Sequence, residues 1–99
     1  MYLIDIVINT EKVDSKDADN LLEQHRQWFA KYFQVGAFLM VGPYRDQAAA
    51  GVVIAQAPSR EALEGILKDD AYYPDKATYT VREFQANLIA PNVADYKGQ

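Results

Sequence analysis

One stretch constrains the fold of this chain more than any other, because residues 15–36 carry the pattern of a single long amphipathic helix. Apolar and aromatic side chains recur there at intervals of three and four residues, which places them on one helical face. They are Ala18, Leu21, Leu22, Trp28, Phe29, Tyr32 and Phe33. The only histidine, His25, falls on the same face, whereas Arg26 falls with the polar residues on the other. The imidazole is therefore predicted to point into the packed interior.

Length and composition limit what the chain can be. Its 99 residues predict one domain over residues 1–99, with a core over residues 1–86 and a C-terminal tail over residues 87–99. A net charge of −4 without a basic cluster argues against nucleic acid and anionic membranes as partners. The lack of cysteine and the single histidine exclude a thiolate nucleophile, a disulfide and a multi-histidine zinc site. No apolar run is long enough to span a bilayer and no signal peptide precedes the first strand, so we expect a soluble cytoplasmic protein.

The remaining segments predict the element order β-α-β-β-α-β. Asp14 or Ser15 is the predicted N-cap of the long helix, and Gly36 is predicted to end it. The second helix is predicted to begin after the N-cap Ser59 and to end at residues 68–70. The predicted strands, chosen for their β-branched and aromatic content, are Tyr2–Asn9, Ala37–Pro43, Ala50–Gln56 and Ala77–Ala86. An antiparallel sheet with both helices on one face, the ferredoxin-like α+β arrangement, accommodates this order.

The second and third predicted strands are almost wholly apolar, which is typical of strands covered on both faces. Two helices on one side of the sheet leave its other face without a cover. A second sheet packed face to face, as in a dimeric α/β barrel, would supply that cover. We therefore predict a homodimer, or a higher oligomer built from it, that buries about 2,000 Å² or more.

Several side chains are candidates for a ligand site. Gly42 and Pro43 end a strand where the backbone can approach a ligand closely. Aromatic side chains that could line a pocket and donate hydrogen bonds are Trp28, Tyr44, Tyr72 and Tyr73, with core packing as the alternative role. Asp5 lies in the middle of the first strand, either as a solvated carboxylate at the sheet rim or as a polar group lining a cleft.

Four short motifs follow one another along the chain. They are His25-Arg26-Gln27-Trp28, the helix stop at Gly36, Val41-Gly42-Pro43, and Ser59-Arg60-Glu61-Ala62 leading to Asp70. In order and spacing they resemble the YCII-related (YciI-like) family. The resemblance covers residues 1–86 and implies a small dimeric α/β barrel with a ferredoxin-like fold.

The same resemblance implies a cleft centred on a His/Asp pair, here His25 and Asp70, with Tyr72 in the aromatic place of the family's Asp-Pro-aromatic motif. The sequence departs from the family pattern twice. Leu22 stands where many members have an arginine, and Ala71 stands in the place of the proline. The best understood family activity resembles dehydrochlorination of a hydroxylated aromatic ring.

A histidine beside a carboxylate is a general acid/base unit, because imidazole titrates near neutral pH and the carboxylate fixes its tautomer. No serine or cysteine nucleophile motif accompanies it. Together with the resemblance, this chemistry predicts a cofactor-independent and metal-independent enzyme of the lyase or isomerase type that acts on a small cyclic or aromatic metabolite. The catalytic residues would be His25 and Asp70, and the substrate-binding residues Trp28, Gly42, Pro43, Tyr44 and Tyr72.

Two other functions fit the same residues. One is a non-catalytic small-molecule-binding or stress-associated dimer, which the departures at Leu22 and Ala71 favour. The other is a cofactor-free monooxygenase, as in other dimeric α/β-barrel families, whose substrate must itself activate oxygen. Each candidate catalytic residue also has a structural alternative. His25 could be a hydrogen-bonded core histidine, and Asp70 could be a solvated residue at the end of the second helix.

Overall fold

The computed structural model describes residues 1–99 and has the predicted order of elements. These are β1 (Tyr2–Ile8), α1 (Ala18–Gln34), β2 (Phe38–Pro43), β3 (Ala50–Ala55), α2 (Arg60–Lys68) and β4 (Ala77–Glu83), with 3₁₀ turns at Thr10–Lys12 and Val93–Tyr96. The four strands form one sheet in the order β2-β3-β1-β4, and every neighbouring pair is antiparallel. This topology is the predicted ferredoxin-like α+β fold.

Helix α1 ends as its sequence predicts but begins later. Gly36 has a φ of +87°, the left-handed conformation that glycine adopts without strain. The amide of Ala37 bonds the carbonyl of Tyr32, and the amide of Gly36 bonds that of Phe33, which together close a Schellman motif. The predicted N-cap at Asp14 or Ser15 is wrong. The carbonyl of Asp14 accepts from the amide of Asp17 in a preceding turn, and Asp17 is the N-cap.

Helix α2 begins where its sequence predicts. The Ser59 hydroxyl oxygen accepts a hydrogen bond from the amide of Ala62 at 3.1 Å, which satisfies one of the unpaired donors at the helix start. Leu63 and Leu67 then face the sheet and are buried. All four strands are shorter than predicted by one to three residues. Strand β4 ends at Glu83 because its partner there is Tyr2, the first residue of β1.

The register divides the sheet into two faces. Ile4, Val53 and Val81 lie in one row across the strands, and Ile4 and Val53 are fully buried in the core. The next row contains Asp5 and Val52 and points to the opposite face.

We call this opposite, helix-free side the open face. Its apolar side chains are Leu3, Val7, Met40, Val52 and Ile54, of which Met40 is 49% exposed. Within one chain, therefore, β2 and β3 are not covered on both sides, and the covering partner stays a prediction.

Residues beyond β4 lie outside the core. Leu88 is 96% exposed and Ile89 62% exposed, although both side chains are apolar. The predicted boundary between core and tail falls just past the last strand. Neither helix has the length and apolar character that crossing a bilayer requires.

Candidate functional site

His25 and Asp70 are 45 residues apart in the chain, yet their side chains meet. His25 lies in the middle of α1, and Asp70 follows Asp69, the C-cap of α2. The imidazole Nδ1 lies 2.7 Å from the carboxylate Oδ1, and the two residues are only 6% and 4% exposed. The structure thus brings together the two residues that the sequence analysis paired. Because a carboxylate can only accept, Nδ1 carries the hydrogen, and in the neutral imidazole the lone pair is then on Nε2.

Tyr79 completes this pair, and sequence reasoning missed it. Its hydroxyl donates to Asp70 Oδ2, so each carboxylate oxygen has its own donor. Burial, and then the hydrogen bond to Asp70, raise the pKa of Tyr79, so the phenol stays a donor at neutral pH. The signal lay in the alternation of β4, which places Ala77, Tyr79 and Val81 on the side that faces the helices.

Aromatic rings enclose the imidazole on several sides. The ring centroid of His25 lies 5.6 Å from that of Trp28, 4.3 Å from that of Phe29 and 4.9 Å from that of Tyr72. Burial, and then the charge of Asp70, raise the pKa of Tyr72. Trp28 and Tyr72, both predicted to bind substrate, are themselves buried and line no part of the cavity described next. They hold the imidazole in place.

A cavity of about 420 Å³ opens beside His25. It lies between α1, the ends of β1 and β2, the loop over residues 44–49 and the start of β3, and its wall is mostly apolar. His25 and three of the predicted binding residues, Gly42, Pro43 and Tyr44, line it. His25 Nε2 has no hydrogen-bond partner in the chain. Every fully buried side-chain nitrogen or oxygen does have one. Nε2 is therefore not fully buried, and the cavity is the open space that His25 borders.

Tyr44 is fixed against this cavity by Asp5. The hydroxyl of Tyr44 donates to Asp5 Oδ1 at 2.6 Å. That hydrogen bond is the main cause that raises the pKa of Tyr44. Asp5 does not line the cavity. It lies on the open face of β1, and the hydrogen bond to Tyr44 links it to the cavity wall.

Leu22 and Arg26 also line the cavity, one helical turn apart on α1. Sequence reasoning assigned Arg26 to the polar face of the helix, but its side chain reaches the cavity from the border between the two faces. No set of three or more histidine, aspartate or glutamate side chains is arranged to hold a metal ion.

Comparison with known proteins places the chain in a family. The family model of the YCII-related domain matches residues 1–85. One solved structure with a similar fold is the crystal structure of an antibiotic biosynthesis monooxygenase. It is 18% identical, the match covers 86% of this chain and 99% of that chain, and the TM-score is 0.49. No curated protein matches the chain. The family match spans both helices, all four strands and the His25–Asp70 pair, and the chain belongs to the YCII-related family.

Proposed function

We propose that the protein is a cofactor-independent enzyme that moves a proton on a small cyclic or aromatic metabolite, with His25 as the acid/base group. One observation carries the proposal: Nδ1 is held by a buried carboxylate, while Nε2 has no partner in the chain and His25 lines an apolar cavity. A histidine that served only core packing would need no open space at its second nitrogen. A positioned base must have that space, because its proton comes from a bound molecule.

The lone pair of Nε2 takes a proton from a carbon next to a carbonyl group, and the electrons of the broken C–H bond form an enolate. Asp70 stabilises the imidazolium that results. An isomerase returns the proton to a different carbon. A lyase instead lets the enolate electrons expel a leaving group from the neighbouring carbon.

The cavity suits a small ring. Its volume of about 420 Å³ lies in the range of ordinary ligand sites. Phe29, Val41 and Leu22 supply apolar wall, while Tyr44 and Gln47 supply polar groups at the loop. A planar or cyclic apolar molecule with few polar substituents matches such a lining.

Hydrogen–deuterium exchange tests the proposal without knowledge of the substrate. A panel of cyclic ketones, lactones and phenols is incubated with the protein in D₂O, and deuterium uptake at carbon is followed by mass spectrometry. We expect accelerated exchange in at least one compound, lost in His25→Gln and retained without oxygen. Equal exchange with His25→Gln, or exchange with no member of the panel, contradicts the proposal. A strict need for oxygen favours a cofactor-free monooxygenase instead.

A second candidate function is a small-molecule-binding protein without turnover. The observation that favours it is Leu22, an inert side chain that lines the cavity one turn from His25. Binding of panel compounds, seen as a rise in melting temperature, together with no deuterium uptake would identify this function.

We also propose that the functional unit is a homodimer joined through the open faces of two sheets. The support is the row of apolar side chains on β1, β2 and β3 that no element of the chain covers. Isolated monomers rarely expose an apolar surface that continues across three strands.

A further inference from the structure

We infer that Arg26 makes the cavity selective for an anion, namely a small ring compound that carries a carboxylate. The carboxylate would pair with the guanidinium at the mouth, and the ring would lie on the apolar wall next to His25. If the protein is the proposed enzyme, this inference names the class of its substrate, and that part rests on the proposed function. The preference for binding an anion does not depend on catalysis.

The charges around the cavity support an anionic ligand. No aspartate or glutamate lines it, although the chain as a whole carries a net charge of −4. Arg26 is the one side chain of its wall that is always cationic. The charge of the cavity wall is therefore positive, whereas the net charge of the whole chain is negative and attracts cations.

Arg26 is also free to bind. Arg60 pairs with Glu64 and Lys31 pairs with Asp69, but Arg26 forms neither an ion pair nor a side-chain hydrogen bond. Its five N–H donors are thus available to a ligand. The guanidinium plane presents them as a fork that matches the two oxygens of a carboxylate.

The positions on α1 define how such a ligand would lie. Arg26 directly follows His25, so the two side chains leave the helix about 100° apart. His25 is 6% exposed and forms the floor of the cavity, whereas Arg26 is exposed and forms its rim. Leu22 is half-buried and supplies apolar wall. A carboxylate at the rim therefore directs the rest of the molecule towards Nε2.

Benzoate and its neutral isostere benzamide test the inference, with binding followed by NMR titration of the backbone amides. Arg26→Gln removes the charge, and Arg26→Lys keeps the charge but not the fork. Arg45→Gln is the matched control, because Arg45 is exposed in the loop after Tyr44 and does not line the cavity. We expect the Kd of wild-type protein for benzoate to be about tenfold lower than its Kd for benzamide. Arg26→Gln should remove that preference, Arg26→Lys should restore part of it, and Arg45→Gln should keep it.

Three results overturn the inference: no benzoate binding at millimolar concentration, equal binding of the two probes to wild-type protein, or an equal loss in Arg45→Gln. Amide spectra of the variants show that each is folded. The outcome is separable from that of the proposed function. A preference for benzoate without any deuterium exchange supports the anion site and contradicts the proposed enzyme. Deuterium exchange without the preference supports the enzyme and contradicts the anion site.

Discussion

The indole nitrogen of Trp28 donates a hydrogen bond to the carbonyl oxygen of Ile66 over 2.8 Å, and this bond joins α1 to α2. Trp28 lies one turn after His25, and Ile66 lies one turn before Asp70. The two helices are therefore tied at two neighbouring levels, once by the catalytic candidates and once by the indole. Lys31 and Tyr32 add two further bonds at the end of α2, since both bond Asp69. Together these bonds oppose sliding of one helix along the other and so support the geometry of the His25–Asp70 pair.

Replacing Trp28 with Phe tests this tie. The variant keeps an aromatic ring but loses the hydrogen bond and part of the packed volume. We expect the free energy of unfolding to fall by about 1–3 kcal/mol, measured by urea denaturation. Phe33→Leu on the same helix is the control. Its side chain is 61% exposed, so a change within about 0.5 kcal/mol is expected. If the free energy of unfolding of Trp28→Phe equals that of wild-type protein, the hydrogen bond between Trp28 and Ile66 does not stabilise the helix pair.

A double-mutant cycle on His25 and Asp70 tests whether they act as a unit. On an exchanging compound, His25→Gln should slow the reaction by roughly a hundred- to ten-thousand-fold, the usual effect of one positioned proton-transfer group. Asp70→Asn should slow it too, and the double variant should lose less than the product of both. A purely structural histidine would give a different result: stability falls by about 1–3 kcal/mol while the rate per folded molecule stays the same.

Tyr79→Phe tests the third member of the cluster through pH. The pKa of Tyr79 is raised from 10.0 in the folded protein, so the unfolded chain releases this proton at a lower pH than the folded one. The stabilisation is fully present below about pH 10 and declines as the pH rises above it. Urea denaturation of Tyr79→Phe should show a shallower decline in alkaline solution. At neutral pH the variant should lose about 1.5–3 kcal/mol, because Asp70 Oδ2 loses its donor.

Tyr96→Phe provides the comparison for that measurement. Tyr96 is 60% exposed in the tail and lies outside the core cluster. This variant should match wild-type protein in both alkaline and neutral solution. An equal effect of the two substitutions would show that the alkaline decline comes from tyrosines in general.

The proposed dimer predicts the effect of a charge on the open face. Wild-type protein should sediment as a dimer at micromolar concentration, and Ile54→Lys should sediment as a folded monomer, since a buried lysine without a partner destabilises an interface. Val35→Lys is the matched control. Val35 is 70% exposed at the C-cap of α1 and belongs to no strand. A wild-type monomer, or a dimer in both variants, contradicts the open face as the interface.

The sequence predicted best what short-range chemistry decides. The left-handed stop at Gly36 and the hydroxyl cap at Ser59 depend on a few neighbouring backbone groups, so each was visible in its own segment. The apolar face of α1, with His25 on it, follows from helical spacing alone. Asp70 was found only through the family resemblance, because a carboxylate at a helix end carries no local signal of its partner.

The contacts of Tyr79 and Tyr44 were not predictable in this way. The contact of Tyr79 depends on which face of β4 meets the helices, and the contact of Tyr44 depends on how the loop after β2 lies against β1. Arg26 shows another limit. A helical pattern divides residues into two faces, whereas a long side chain at the border can reach round to a cavity that the pattern does not contain.

The anchoring of Nδ1 by Asp70 has a stereochemical consequence. Of the side chains that line the cavity, only His25 and Tyr44 can release or take up a proton, and the Tyr44 hydroxyl is already bonded to Asp5. In the proposed enzyme, one nitrogen, fixed on one side of a bound ring, would then both remove a proton and give it back. Migration of hydrogen within a substrate would be suprafacial. A deuterium placed on the migrating position should in part reappear in the product instead of being lost entirely to water.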